Sequence, residues 1–192
     1  RRLFARMMEV YAGFVTHTDA QVGHLVEYFA DTGLLENTLF LILSDNGASA
    51  EGGPHGMLSQ EATELGAMID RIDDFGGHRA YNHYAWGWAW AGNTPFRLWK
   101  RHSWLGGVRV PLIVHWPDGI DRSARGAIRS QFCHAIDVMP TLLEVVGAGA
   151  DDQTSGHQET LDGKSMLSTF NDAFAASPRA TQYFEVMGSR AI

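Results

Sequence analysis

Asp45-Asn46-Gly47 sets a carboxylate beside an amide oxygen, two hard donors that suit Ca²⁺ or Mg²⁺ rather than zinc. Two donors alone do not hold an ion, and the same tripeptide favours a tight turn with left-handed backbone, its commoner state. A second group of interest is Asn93-Thr94-Pro95-Phe96-Arg97 with Lys100, ahead of Gly106-Gly107. Pro95 fixes one torsion and the glycines end the loop, so its cations are confined where an anion could be held. A lysine acts there as a point charge on a sulfate or phosphate oxygen and stabilises charge developing on a leaving oxygen. The competing reading is solvated surface charge, since Arg101 and Arg109 lie in the same stretch.

The nine histidines form no HxxH or HExxH pattern. His17 and His24 lie seven apart near the start, and His78 and His83 flank a loop. His83 and His102 fall within aromatic and basic stretches, where each either meets substrate or serves as a hydrogen-bonded loop histidine. Tyr84-Ala85-Trp86-Gly87-Trp88-Ala89-Trp90 reads as a sugar-stacking platform or, preferably, as a loop packed tightly on its own core through the small residues between the rings.

The elements that must position these groups follow from hydrophobic spacing. Phe4, Met7, Tyr11, Phe14, Thr18, Val22, Leu25 and Phe29 step by three or four and predict one long amphipathic helix, stopped at Gly33. Thr38 to Ser44 is apolar at its centre, as expected of a strand covered on both faces, and Asp45 stands at its carboxyl end. From Ala48 to Gly107 the sequence loosens into glycine-rich loops, with Glu61 to Ile72 as the only expected helix. The aromatic density of this stretch argues for an ordered active-site insertion. Val110 to Trp116 predicts a second buried strand, and Asp137 is expected to cap a helix from Val138 to Val146 ended by Gly147. After a polar stretch from Gly149 to Glu159, a weak helix near Ser165 to Ala176 precedes a third strand, Thr181 to Val186. Strands alternating with helices predict an α/β fold with a mostly parallel sheet flanked by helices. In such sheets ligands gather beyond the carboxyl ends of strands, where Asp45 and Asn46 lie.

The chain has 192 residues, 45% hydrophobic, with ten Phe, six Trp and five Tyr. That composition supports one compact body or a large piece of one and excludes disorder throughout. A formal net charge of −7 disfavours nucleic acid as a partner, and no apolar run approaches the length of a membrane span. With Cys133 the sole cysteine, neither a disulfide framework nor a cysteine-based zinc site can form within the chain. Compartment is left open.

Three motifs, in order and at matching spacing, resemble the arylsulfatases of the sulfatase family. They are residues 44–54 (Ser-Asp-Asn-Gly-Ala-Ser-Ala-Glu-Gly-Gly-Pro), Asn93 to Arg97 through Lys100 to Gly106-Gly107, and Pro111 to Pro117. The similarity extends through His134 to Thr141 and Leu161 to Ser165, over most of the chain. The resemblance implies an alkaline-phosphatase-like α/β fold. It also implies that Asp45 and Asn46 are the later pair of ligands to an active-site Ca²⁺ or Mg²⁺, and that Lys100 contacts the sulfate and the leaving oxygen, on the same side of the sheet as Asp45. His102 is a further candidate for substrate contact.

Family members carry Cys-x-Pro-x-Arg or Ser-x-Pro-x-Arg, whose first residue becomes the formylglycine nucleophile. Here Cys133 is followed by His134-Ala135-Ile136-Asp137, and Asn93-Thr94-Pro95-Phe96-Arg97 keeps the spacing with an amide that cannot become an aldehyde. The family's early paired aspartates are also absent, and Leu105 stands where Glu often precedes Gly-Gly. The start, Arg1-Arg2-Leu3-Phe4, lacks an initiator Met and a signal-type apolar run. The expectation is therefore the C-terminal part of a sulfatase catalytic region, a single fragment spanning 1–192. It would supply half a metal site and one lysine, be inactive alone, and be completed by a missing N-terminal part of the polypeptide that carries formylglycine. The rival readings are a phosphatase or phosphonate monoester hydrolase of the same superfamily, a non-catalytic calcium- or sugar-binding module, and a structural domain without ligand.

Overall fold

The computed structural model describes residues 1–148 and 161–192, so the polar stretch from Gly149 to Glu159 lies outside the described residues. The chain packs as two compact units. One comprises Arg1–Gly33, Leu43–Leu112 and Phe184–Ala191, and the other Leu34–Ile42, Ile113–Tyr183 and Ile192.

In the first unit, helix α1 (Arg2–Asp31) forms where the apolar spacing predicts it and ends at Gly33, whose φ of +71° a side chain would disfavour. Only its first turns are covered. Leu3 and Met7 are buried with Leu58, Ala62, Met68 and Phe75, the burial of each large side chain contributing about 1.5–3 kcal/mol. Trp88 Nε1 donates to the Phe4 carbonyl at 2.8 Å and Arg6 Nη2 to that of Phe75 at 2.9 Å, fixing the helix to the loops beneath it. Beyond Val10 the predicted apolar face is largely open, with Tyr11, Phe14 and Leu25 exposed and Val22 and Phe29 half-buried.

The helix expected over Glu61 to Ile72 shortens to α2 (Leu65–Asp70) followed by a 3₁₀ turn, Ile72–Asp74. The Trp-rich segment expected as a loop is instead helix α3 (Trp86–Asn93). Complete burial of Ala89, with Ala85 also inside, outweighs the unfavourable glycines at 87 and 92. A short turn of helix, α4 (Leu105–Val108), contains Gly106 and Gly107.

Those two glycines and Gly47 let three stretches of backbone touch. A Cβ on Gly47 would lie 1.7 Å from the Gly106 carbonyl oxygen; one on Gly106, 2.1 Å from that of Leu98; one on Gly107, 2.1 Å from that of His102. Hydrogen bonds from Gly47 N to Gly107 O (3.0 Å) and from Gly106 N to Arg97 O (2.9 Å) run through the same contact. The turn after Asp45-Asn46 and the loop carrying Lys100 are thus locked to one scaffold.

In the second unit, strands β1 (Phe40–Leu43) and β2 (Leu112–His115) pair with each other in a two-stranded sheet. The expected covering on both faces is not found: Ile42, Leu43, Leu112 and Ile113 are exposed, because no further strand among the described residues joins the pair. The third predicted strand, as β3 (Phe184–Val186), belongs to the first unit. It pairs antiparallel with β4 (Ser189–Ala191) across a tight turn in which Met187 and Gly188 both have positive φ. A mostly parallel sheet is therefore not assembled among the described residues, which hold two separate strand pairs.

The core of the second unit joins Ile120, Met166 and Phe170 to Leu39, Val114, Trp116, Cys133 and Val138. Asp137 is fully buried beside it. Helix α5 (Val138–Val145) starts where predicted, yet the Asp137 side chain does not cap it. The carboxylate instead accepts from the His134 amide at 2.7 Å and the Lys164 amide at 2.8 Å, and is held by both Nε and Nη2 of Arg179. It is His134 that caps, its Nδ1 accepting from Ile136 N over the 3₁₀ turn Ala135–Asp137. The weak helix expected from Ser165 to Ala176 is reduced to α6 (Ser168–Asn171). Among the described residues no helix is long and apolar enough to cross a membrane.

Burial alone would raise the Asp137 pKa, but the Arg179 guanidinium and the two amides outweigh it and hold the carboxyl below the usual range. A depressed folded value means that the carboxylate stabilises the fold above its unfolded pKa, and that this stabilisation is lost as pH falls through the folded value. Asp137→Asn is expected to destabilise the protein by about 3–5 kcal/mol, because Arg179 is left buried and unpaired. The variant should also flatten the acid limb of melting temperature against pH; an unaltered limb refutes the assignment. Gly106→Ala is expected to cost about 1–3 kcal/mol or more from the backbone clash. Gly23→Ala, where nothing lies within 4 Å, should instead gain about 0.5–1 kcal/mol in thermal unfolding.

Candidate functional site

The sequence candidates Asp45, Asn46, Lys100 and His102 all lie in the first unit. Asp45 is exposed and Asn46 half-buried in the turn after β1, where Ser44 Oγ donates to the Asn46 carbonyl at 2.8 Å. Neither the Asp45 carboxylate nor the Asn46 side-chain amide makes a hydrogen bond or ion pair with any described residue, so both sets of oxygens are uncommitted. The described residues contain no cluster of three or more His, Cys, Asp and Glu side chains able to hold a metal. Asp45 and Asn46, the two ligands expected from the sequence, carry oxygen donors of the kind a hard cation takes and are too few to hold one alone.

The Lys100 loop is bound to the same turn by its backbone. Lys100 N donates to Ala48 O at 3.0 Å, three residues beyond Asp45. Asn93 clamps both sides: its Oδ1 accepts from Ala48 N at 3.1 Å and its Nδ2 donates to Leu98 O at 2.8 Å. The amide that merely copies a nucleophile motif in the sequence thus has a structural task. The Thr94–Pro95 peptide is cis, and Leu98 and Arg101 have φ of 61° and 76°. Non-glycine residues in that region persist only where their surroundings fix them, and here they bracket Trp99 and Lys100.

The Lys100 ammonium donates to Glu51 Oε2 at 2.8 Å, and Ser49 Oγ donates to the same oxygen at 3.1 Å; Arg101 lies 3.9 Å from the other oxygen. The hydrogen bonds from Lys100 and Ser49 hold the Glu51 carboxyl below its ordinary value. Glu51 is the residue that sequence reasoning missed. It stands in the acidic loop after Asp45, but nothing in the spacing pairs it with a lysine 49 positions away.

His102 is half-buried, its ring edge-on to that of Trp99 with centroids 6.0 Å apart. His83 pairs backbone to backbone with Met57 and sets its ring against Tyr81. The β3–β4 hairpin supports the loop from beyond Lys100, through Ser103 and Ser189 hydroxyls 2.7 Å apart and an Arg101 contact to the Met187 sulfur at 3.2 Å. The three tryptophans of α3 divide: Trp88 packs inward under Phe4, while Trp86 and Trp90 lie on the open side. Cys133, in the second unit, is packed into its core, and burial pushes its thiol up, away from the reactive thiolate.

Comparison with known proteins accords with the motifs. The sequence model of the Sulfatase family matches residues 2–148. An arylsulfatase of Klebsiella aerogenes is 33% identical over 145 residues, which is 74% of this chain and 30% of that protein. An uncharacterised sulfatase of Schizosaccharomyces pombe is 32% identical over 143 residues, 73% of this chain and 25% of its own length. Human arylsulfatase A is 28% identical over 170 residues, 86% of this chain and 24% of that enzyme. The chain thus spans about a quarter to a third of these relatives. With three ordered motifs and a family match over most of its length, the chain belongs to the sulfatase family, whose fold is of the alkaline-phosphatase-like α/β type.

Proposed function

We propose that this chain is part of a sulfuric ester hydrolase of arylsulfatase type, to which it contributes an anion-contacting lysine and two ligands of a divalent metal. The observation that carries the reading is the bond from the Lys100 amide to the Ala48 carbonyl. It ties the cation-bearing loop to the turn whose carboxylate and amide oxygens are uncommitted, and an anion beside a bound cation needs that neighbourhood. A sulfate ester would be gripped by the Lys100 ammonium through a sulfate oxygen and the bridging oxygen that leaves with the alcohol. As the S–O bond breaks, negative charge grows on that bridging oxygen, and a cation fixed beforehand stabilises it without reorganising. Glu51 keeps the ammonium within the loop before substrate arrives, and the ester's oxygens then share or replace that carboxylate. His102, whose ring touches Trp99, is read as a further substrate contact from the same loop.

Asp45 and Asn46 would hold Ca²⁺ or Mg²⁺ together with donors from elsewhere in the polypeptide. Such an ion neutralises sulfate oxygens when bound. The nucleophile, formylglycine in this family, is expected outside this chain, so the 192 residues are read as inactive alone.

In the full-length protein, Lys100→Ala is expected to lower kcat/KM for 4-nitrophenyl sulfate about tenfold to a thousandfold, with the melting temperature little changed. Lys100→Arg should recover only part of this, since a planar fork does not reproduce a compact ammonium. Unchanged catalytic efficiency in Lys100→Ala removes the residue from the site. Asp45→Ala is expected to weaken calorimetric Ca²⁺ affinity of the full-length protein about tenfold or more, as loss of a charged ligand does. Equal affinity in variant and parent sinks the metal assignment.

A further inference from the structure

We infer that Glu51 selects charge at Lys100: it is a fixed negative group that lets a monoanionic sulfate ester bind and weakens the hold on the dianionic sulfate that hydrolysis releases. The inference rests on the sulfatase reading above and adds a specificity-determining residue to it.

Glu51 does not merely follow the lysine. Its Oε2 accepts from the Lys100 ammonium at 2.8 Å, and Ser49 holds it from its own loop, the hydroxyl donating to Oε2 at 3.1 Å and accepting from the Glu51 amide at 3.4 Å. The backbone on either side is pinned by the first residue of α3: Trp86 Nε1 donates to the Ala50 carbonyl at 2.7 Å and Trp86 N to that of Gly53 at 3.0 Å. An anion that draws the ammonium toward itself therefore leaves the carboxylate in place. The hydrogen bonds from Lys100 and Ser49 keep that carboxyl below its ordinary value, so its charge is present at neutral pH. Arg101 stands 3.9 Å from the other carboxylate oxygen, with its Nε turned to the Met187 sulfur at 3.2 Å. Two cations against one carboxylate leave this group with a single positive charge.

That balance matters because the reaction changes the charge of the sulfur species. A sulfate ester carries one negative charge; water converts it to the alcohol, a proton and a sulfate ion with two. A purely cationic site grips such a product more firmly than the substrate, and a negative charge within the site opposes this. At a given position, repulsion from one carboxylate is twice as large for a dianion as for a monoanion, so Glu51 weakens product binding more than ester binding. Phosphate monoesters, close to dianionic at neutral pH, are disfavoured by the same repulsion.

The test uses the full-length protein turning over 4-nitrophenyl sulfate at low ionic strength, with methanesulfonate as a monoanionic inhibitor and inorganic sulfate as a dianionic one. Glu51→Gln removes the charge while keeping the length of the side chain and an oxygen for Lys100 and Ser49. The ion-paired side chains are each 35% exposed, so solvent shields part of the effect. The inhibition constant of methanesulfonate is expected to fall about three- to tenfold and that of sulfate about ten- to a hundredfold, the square of the first factor. The gap should narrow as NaCl is added. Glu51→Asp, which keeps the charge and moves it, should leave the ratio of the two constants near that of the parent. An unchanged ratio in Glu51→Gln overturns the inference. So does a Glu51→Asp variant that behaves like Glu51→Gln, since lost contact rather than lost charge would then be the cause. If the parent protein hydrolyses no sulfate ester, the sulfatase reading fails separately. Calorimetric titration with the same two anions then decides. A preference for sulfate over methanesulfonate that is larger in Glu51→Gln than in the parent supports charge selection; an equal preference, or no binding of either anion to Glu51→Gln, refutes it.

Discussion

The candidate site depends on a contact between backbones that only glycine permits. At Gly47, Gly106 and Gly107 there is no room for a Cβ, since each would fall within about two ångströms of a carbonyl oxygen of the neighbouring segment. Because those side chains are missing, the turn after Asp45-Asn46, the Arg97–His102 stretch and α4 interlock through amide hydrogen bonds. Asn93 completes the lock by serving an N–H on one segment and a carbonyl on another. Groups far apart in sequence, the Asp45-Asn46 turn and the Lys100 loop, are brought together by main-chain geometry, which is less sensitive to solvent and side-chain motion than an ion pair at the surface.

The second unit solves a different problem. Its folding brings a carboxylate into a region without water, and the cost is offset by satisfying every acceptor at once: two backbone amides and both arms of a guanidinium converge on Asp137. The consequence reaches beyond one ion pair. The hub joins the His134 turn, the Lys164 backbone and Arg179, three segments distant in sequence, while Thr141, one turn along α5, accepts the Met166 amide and continues the same network. His134, also pressed by burial and by Arg179, has its pKa lowered, consistent with a neutral ring whose Nδ1 can accept.

The aromatic segment illustrates how one composition supplies an inner and an outer face once it is helical. Periodicity divides the tryptophans of α3 once the helix exists, with Trp88 turned toward the body of the unit and Trp86 and Trp90 outward against Trp99. Read as a loop, the same residues have no inside or outside. In the helix the rings divide by face: Trp88 packs inward, whereas Trp86 and Trp90 meet Trp99 and stay half exposed.

The sequence by itself determined what depends on near neighbours and on the order of residue types along the chain. The periodicity of α1, its stop at Gly33, the apolar runs of β1 and β2, the start of α5 and the ordered motifs of a sulfatase are all legible there. These are local: each is set by spacing along one segment or by a turn that one residue imposes. The tertiary structure decided what depends on distant partners. It turned Asp137 from an expected helix cap into a buried hub, because Arg179 and Lys164 lie nearby only after folding. It made a helix of the Trp-rich segment by burying Ala89, confined the strands to two short pairs, and gave Lys100 its carboxylate partner in Glu51. No spacing rule foresees these, since their energies come from desolvation and contact between segments whose separation in sequence says nothing about their distance in space.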